Sequence, residues 1–330
     1  MGLMRTVDTA ASFRHEALLY EGKSGFLSGT LPFIREGLRA EEPVMVVVAP
    51  KKIEWLREAL GDDSGWVEFE DMEVAGRNPA RLIALWHAFT DSHPDAPALR
   101  GIGEPAGPGR NTEALDECRR HESLLNLAFE DDRDFWLLCP YDRTVLPADT
   151  VEGARTTHPV VADHGPGAPS AEFADSSEAL VGPLHRPPSD AAELRFEAHQ
   201  LRDVRSFVER EARALGLPAS ATGDLVFAVG ELASNSIRHG GGSGLALVWR
   251  EGSQVVLEVR DSGLVEDPLV GRLHPRIDQI AGRGVWLVNQ LCDLVQVRSG
   301  PGGTAIRVRI GDIAPGLDAG DDRAEALRTW

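Results

Sequence analysis

The sequence predicts a parallel, doubly wound α/β sheet over residues 1–160 and an α+β sandwich over 195–311. Three observations lead there. Strand-like and helix-like segments alternate up to residue 160. Residues 161–194 are rich in Pro, Gly, Ser and Asp and hold no sustained period, which reads as a linker. Beyond it, two helical segments come first and paired strand-like segments follow. A chain of 330 residues is also long for a single core, so two domains are expected from length alone.

Taken in order, "EALLYE" reads as a strand before the helical "GFLSGTLPFIREGLRA". "PVMVVVAP" leads to "KKIEWLREAL", and "WVEFED" to "NPARLIALWHAFTDSH". "ALRGIGEP" precedes "NTEALDECRRHESLLNLAFE", and "DFWLLCPYD" closes the series. Five strands joined by crossover helices imply a parallel sheet with helices on both faces. Such sheets bind ligands beyond the carboxyl ends of their strands. Those ends carry Glu21, Glu70, Glu104 and the run Cys139-Pro140-Tyr141-Asp142. After the linker, "AELRFEAHQLRDVRSFVEREARALGL" and "SATGDLVFAVGELASNSIRHG" read as helices. The strands "LALVWREG" and "QVVLEVRDSG" follow, then an irregular loop over 264–281, the helix "GVWLVNQLCDLV", and the strands "QVRSG" and "TAIRVRIG". Helices grouped against antiparallel strands make an α+β sandwich. The tail over 312–330 reads as frayed or as a short terminal helix.

Composition narrows the function classes. With 42% hydrophobic and 26% charged residues, the chain reads as soluble and globular. Its apolar runs are far shorter than a membrane span, and no basic stretch followed by an apolar one opens it. Cys118, Cys139 and Cys292 are an odd number, widely separated and without CxxC spacing, which fits a reducing cytoplasm and gives neither a disulfide framework nor a zinc site. A net charge of −18 argues against a nucleic-acid surface. That acidity lies mostly outside residues 195–310, which carry 14 Arg against 13 Asp and Glu.

The chemistry concentrates in four pieces of the second domain. Glu231, Asn235 and His239 are spaced by four and share one stripe of an otherwise apolar helix. "DSG" (261–263) ends a strand, "GRGVWLV" (282–288) opens a helix with Gly-x-Gly, and "GGT" (302–304) leads into the last strand. In this order they resemble the N, G1 and G2 boxes and the terminal Gly-Thr of the GHKL (Bergerat) ATP-binding fold. With a short lid and no phosphoacceptor-histidine helix, residues 196–310 look most like the anti-sigma factor serine/threonine kinases of the RsbW and SpoIIAB type. The resemblance implies ATP and Mg²⁺ as cofactors, with Asn235, His239, Asp261, Gly263, Gly282, Arg283, Gly284 and Thr304 at the nucleotide. Mg²⁺ is a hard cation that an Asn carbonyl suits, so Asn235 is the metal-ligand candidate. Glu231, one turn earlier, is placed to act as general base toward an attacking hydroxyl. Asp261 can accept a hydrogen bond from the adenine amino group, and Gly263 lets backbone approach the base. Gly282 and Gly284 would turn amides toward phosphate at a helix N-terminus. His239 taken alone reads as a structural hydrogen-bonder, and Gly240 to Gly242 as a helix stop.

Two departures bear on kinase activity. The G1 box continues with Leu264 and Val265 where family kinases often have x-Gly, and Ile280 stands where many place a basic residue before the first lid glycine. Arg272, Arg276 or Arg283 could supply that charge, on which phosphoryl transfer depends.

In the first domain "EGKSG" (21–25) has the look of a Walker A ending, but Ala17 stands where its first glycine would be. Residues 13–160 resemble instead the MEDS sensory domain, through "HEALLYE" (15–21), "GEP" (103–105), "HESLLNLAF" (121–129), "CPYD" (139–142) and "THP" (157–159). His15, Glu104, Glu122, Cys139, Asp142 and His158 are then candidates for one sensory site responding to an unidentified small molecule. Cys139 with His15 or His158 would also suit a metal; the bland alternative is a helix tied to the sheet by Glu122 and Asn126 beside a buried Cys139. Together the resemblances imply a cytoplasmic, signal-responsive regulator that binds a sigma factor or phosphorylates a STAS-type anti-anti-sigma partner. A dimer is the family expectation, and no contact with nucleic acid or membrane is expected. The alternative is a non-catalytic, ATP-gated binding module; a third reading is an ATP hydrolase or a histidine kinase remnant.

Overall fold

The computed structural model describes residues 13–129, 134–174, 182, 184–275 and 283–311. The expected tail over 312–330 lies outside them, as do Gly282, Arg276 and Ile280. Two compact units result: Met1–Gly76 with Leu85–Ser176, and Arg77–Ala84 with Ser177–Trp330. No helix among the described residues is long and apolar enough to cross a membrane.

The first unit is built on β1 (Phe13–Tyr20), β2 (Val44–Val48), β3 (Val67–Asp71), β4 (Ala98–Gly103), β5 (Asp134–Asp142), β6 (Val160–Asp163) and β7 (Ala168–Pro169), in the order β3-β2-β4-β5-β1-β6-β7. Every pairing is parallel except β6 with β7. The sheet is therefore mostly parallel, and two strands wider than the five expected, because residues 160–169, at the start of the stretch read as linker, add an edge. Its helices are α1 (Gly22–Arg39), α2 (Pro50–Leu60), α3 (Met72–Ala75), α4 (Leu82–Ser92, from Leu85 on), α5 (Thr112–Ala128) and α6 (Ala148–Thr157).

Strand alternation sorts the side chains by face. Val44, Val46, Val48 and Leu138 bury against Phe26, Phe33 and Ile34 of α1 and Leu56 of α2. The intervening residues of β1 and β5, His15 and Cys139 among them, turn to the opposite face, where α5 lies. Gly22 opens α1 at φ +58°, a left-handed value that glycine adopts without strain. The Walker-like "EGKSG" is thus the first turn of a helix, and Lys23 reaches Glu58 at 3.6 Å on the surface.

The second unit holds β8 (Ala192–Glu197), α7 (Leu201–Ala214), α8 (Ala219–His239), β9 (Ser243–Glu251), β10 (Gln254–Asp261), α9 (Arg283–Leu291), β11 (Leu294–Gly300) and β12 (Gly303–Gly311). Its sheet runs β11-β12-β10-β9-β8, antiparallel throughout. Residues 192–197, expected as the start of a helix, form instead the edge strand β8: Ala192, Leu194 and Phe196 alternate with charged residues, and that period-2 pattern pairs with β9. Helix α7 begins only after a capping box between Glu197 and Gln200.

One core joins the three helices to one face of this sheet. Val204, Phe207, Val208 and Ala212 of α7 recur at helical spacing, as do Leu225, Ala228, Val229, Leu232 and Ala233 of α8. They meet Val255, Leu257 and Val259 of β10 and Ile306, Val308 and Ile310 of β12. Phe227, one turn before Glu231, is 38% exposed and turned out of this core.

Candidate functional site

Helix α8 ends at Gly240, and its last two turns form one wall of a cavity of about 300 Å³. Asn235, Ser236 and His239 line it from the helix, and Val259 and Asp261 from the end of β10. Gly263, Leu264, Val265, Glu266, Asp267 and Val270 line it from the following loop, with Val285 of α9 and Thr304 and Ile306 of β12 completing it. The lining is largely apolar, with a few fixed polar groups, as small-molecule sites commonly are.

The best-defined polar group is the Asp261 carboxylate. Ser236 Oγ donates to its Oδ2 at 2.7 Å, and the Gly263 amide to its Oδ1 at 2.8 Å. Each oxygen keeps a lone pair for a further donor. Backbone packing fixes its position. A Cβ on Gly240 would lie 2.3 Å from Asp261 Cγ, and one on Gly263 would lie 2.5 Å from the His239 carbonyl oxygen. Thr304 pairs across the ladder with Asp261, donates to the Gly263 carbonyl at 2.9 Å and shares a 2.8 Å contact with Ser299 Oγ. Ser299 Oγ in turn accepts from the Val265 amide at 2.8 Å.

Asn235 is half-buried, and its Oδ1 accepts from Arg238 at 3.0 Å. Glu231 faces the start of α9, where a Cβ on Gly284 would fall 2.4 Å from its Oε2; that contact is what the second glycine of "GRG" permits. His239 is exposed on the cavity rim and Arg283 exposed at the first position of α9. Arg272, a candidate for the missing charge, is buried and does not line the cavity. Leu264 lines it while 60% exposed. Gly282 lies outside the described residues.

In the first unit, the six candidates for a sensory site separate into two groups. His15 of β1, Glu122 of α5, Cys139 of β5 and His158, at the end of α6, are all buried, with one ligand atom from each lying within 4.8 Å of the others. Glu122 Oε2 is 3.0 Å from His15 Nε2, 3.5 Å from His158 Nε2 and 3.4 Å from Cys139 Sγ. Burial, and the neighbouring His158, push the His15 pKa down to about 4. Burial acts to raise the Glu122 carboxyl, but the two imidazoles beside it outweigh that and hold it below the usual carboxylate range. Burial and the Glu122 charge raise the Cys139 thiol well above its ordinary value.

Glu104 and Asp142 belong elsewhere. Glu104 accepts from Tyr20 Oη at 2.7 Å and from Lys52 Nζ at 2.5 and 2.6 Å. Asp142 Oδ1 caps the turn after β5, accepting from the Thr144 amide and hydroxyl and from the Gly22 amide. These contacts absorb both carboxylates into the structure, which the sequence, treating the strand ends as one edge, did not separate.

Comparison with known proteins agrees with this division. Residues 14–159 match the MEthanogen/methylotroph, DcmR Sensory domain (MEDS), and residues 194–310 the histidine kinase-like ATPase domain. The chain joins a MEDS domain to a histidine kinase-like ATPase domain. No curated protein matches it. The crystal structure of the RsbU and RsbW domains of Rv1364c from Mycobacterium tuberculosis is 19% identical, with a TM-score of 0.29. That match covers 38% of this chain and 33% of the other, so the chain spans about a third of that protein's length.

Sequence reasoning missed Ser236 and Ser299 in the ATPase domain, and read Gly240 as a helix stop alone. Ser236 was legible in principle: it is the polar member of the buried stripe that runs through Leu225, Leu232 and Ala233, so it needs a partner. Ser299 gave no comparable signal, because only the β11–β12 pairing sets it beside Thr304. In the MEDS domain Asn126 was named as a tie between helix and sheet. It supplies the His15 contact, at 3.0 Å from Nδ1.

Proposed function

We propose that the ATPase domain binds Mg·ATP and acts as an anti-sigma-type serine/threonine kinase toward a STAS-type partner, under control of the MEDS domain. The observation that carries this reading is the Asp261 carboxylate, pinned from two sides on a cavity wall beside Asn235 and Thr304. A carboxylate with spare acceptor capacity suits an amino group on a heterocycle, and the apolar lining suits the ring. Thr304 fixes the Gly263 carbonyl and with it the turn beneath the base.

The donor set fits Mg²⁺. That ion keeps several waters and phosphate oxygens and needs only one or two protein ligands. Asn235 offers such an oxygen once it exchanges the contact with Arg238. Bound there, the metal would neutralise charge on the phosphates. Glu231, one turn earlier and against the start of α9, would take the proton of an attacking Ser or Thr hydroxyl. Arg283 at that helix start would offset charge on the transferred group.

Mixing the purified protein with labelled ATP, Mg²⁺ and STAS-domain proteins tests the reading. Transfer of label to a Ser or Thr is expected. Glu231→Ala should hold Mg·ATP within a few-fold while transfer falls by at least about 10²-fold, the lower range for a positioned base. Exposed Leu264 at the cavity favours a second reading, a binding module in which ATP sets affinity for the partner without transfer. Wild-type protein that binds its partner only with ATP and never labels it would establish that alternative.

A further inference from the structure

Three side chains in the MEDS domain present electron pairs to one another, with the Cys139 thiol beside them. Asn126 Nδ2 donates to the Thr157 carbonyl at 2.8 Å, so its Oδ1 is the atom facing His15 Nδ1 at 3.0 Å. His158 Nδ1 lies 2.9 Å from the Ala154 carbonyl, which can only accept. Each ring therefore carries a proton on Nδ1, and in the neutral imidazole that leaves Nε2 as a lone pair. Both lone pairs turn toward Glu122 Oε2, as does Cys139 Sγ, which is also 3.4 Å from His15 Nε2. His158 Nε2, fully buried, has no hydrogen-bond partner. The Cys139 thiol can give its one proton to Glu122, but two imidazole nitrogens and a carboxylate oxygen so arranged repel unless a cation lies among them.

We infer that His15, Glu122, Cys139 and His158 are the ligands of a zinc-type divalent transition-metal ion. The spacing suits it. Bonds of about 2.0 Å to N and O and 2.3 Å to S in a tetrahedron place ligand atoms roughly 3.3 to 3.5 Å apart; four of the six pairs here are separated by 3.0 to 3.5 Å, and all lie within 4.8 Å. Sulfur and imidazole select Zn²⁺ and its neighbours over Mg²⁺ or Ca²⁺. An imidazole that gives its other N–H to a carbonyl oxygen is the usual outer support of a metal ligand, and both rings have one. Binding would form the metal–sulfur bond as the Cys139 thiol proton leaves to solvent. Four protein ligands leave no open position, so the ion would lock the domain and perform no chemistry. It would tie β1, α5, β5 and the α6–β6 junction together. The inference does not depend on nucleotide binding in the other domain.

The test uses the full chain, stripped with a chelator and titrated with Co²⁺. One equivalent should produce tetrahedral d–d bands and a thiolate-to-cobalt charge-transfer band, and Zn²⁺ should displace it while Mg²⁺ does not. Cys139→Ser should abolish the charge-transfer band. Asn126→Ala should weaken affinity about 10- to 100-fold, as loss of an outer support does, and Glu104→Gln should leave it unchanged. Zn²⁺ should raise the Tm of the stripped wild type. A wild-type chain with no saturable Co²⁺ or Zn²⁺ binding at micromolar metal overturns the assignment, whatever the variants do. An unchanged charge-transfer band in Cys139→Ser overturns it equally.

Discussion

At the scale of single residues, the proposed nucleotide site of the second domain turns on which atoms hold Asp261. Ser236→Ala removes a 2.7 Å hydrogen bond to Asp261. Charged hydrogen bonds are worth about 1.5–3 kcal/mol, so ATP affinity should fall roughly tenfold or more, measured by calorimetry. Asp261→Asn should weaken ATP more than GTP, since an amide can turn its own donor toward the adenine amino group; equal loss for both would mean that Asp261 does not read the base. Asn235→Ala should cost Mg·ATP much more than metal-free nucleotide. Gly263→Ala sets a Cβ 2.5 Å from the His239 backbone oxygen, where nothing flexible can yield. Overpacking of this kind costs about 1–3 kcal/mol, so a lower denaturation midpoint is expected even without nucleotide.

At the scale of elements, α8 separates buried from exposed positions within one turn. Val229 is fully buried and Phe227 is 38% exposed. Val229→Ala should lower stability by about 1–3 kcal/mol through lost burial and packing, whereas Phe227→Ala should stay within about 0.5 kcal/mol; chemical denaturation distinguishes them. In the first unit, Lys52 of α2 meets Glu104 after β4 in a buried pair that also takes the Tyr20 hydroxyl. Burial pushes the Glu104 carboxyl up despite its lysine partner. Lys52→Met would strand that carboxylate, and breaking such a pair costs about 3–5 kcal/mol. Lys52→Met with Glu104→Gln should recover part of the loss, which a double-mutant cycle reads directly.

At the scale of the whole molecule, two units with separate cores should respond to separate ligands. A ligand that binds only the native state stabilises by about 2.7 kcal/mol at a hundredfold excess over its Kd. Calorimetry of the full chain should show Mg·ATP raising the transition of the unit that contains α8 and α9. A thermogram that does not move with Mg·ATP would remove the nucleotide reading and leave the metal inference standing.

By itself the sequence determined the existence and type of most elements, because apolar spacing of two or of three and four is a local property. It also determined the ATPase motifs: Asn235, Asp261, Gly263 and Thr304 reach one cavity because short-range signals place each at the end of an element. Edges were harder to read. β8 alternates polar and apolar residues for only six positions before a helix, and β6 and β7 hide in a Pro- and Gly-rich stretch. Only the tertiary structure divided the six polar residues of the first domain. His15 and Cys139 share a face of the sheet by strand alternation, but Glu122 and His158 arrive there through α5 and the end of α6. Glu104 and Asp142, on neighbouring strand ends, were taken up by Lys52 and by a turn. Sequence separation conceals such meetings: Glu122 and His15 are 107 residues apart, and only folding brings one beside the other.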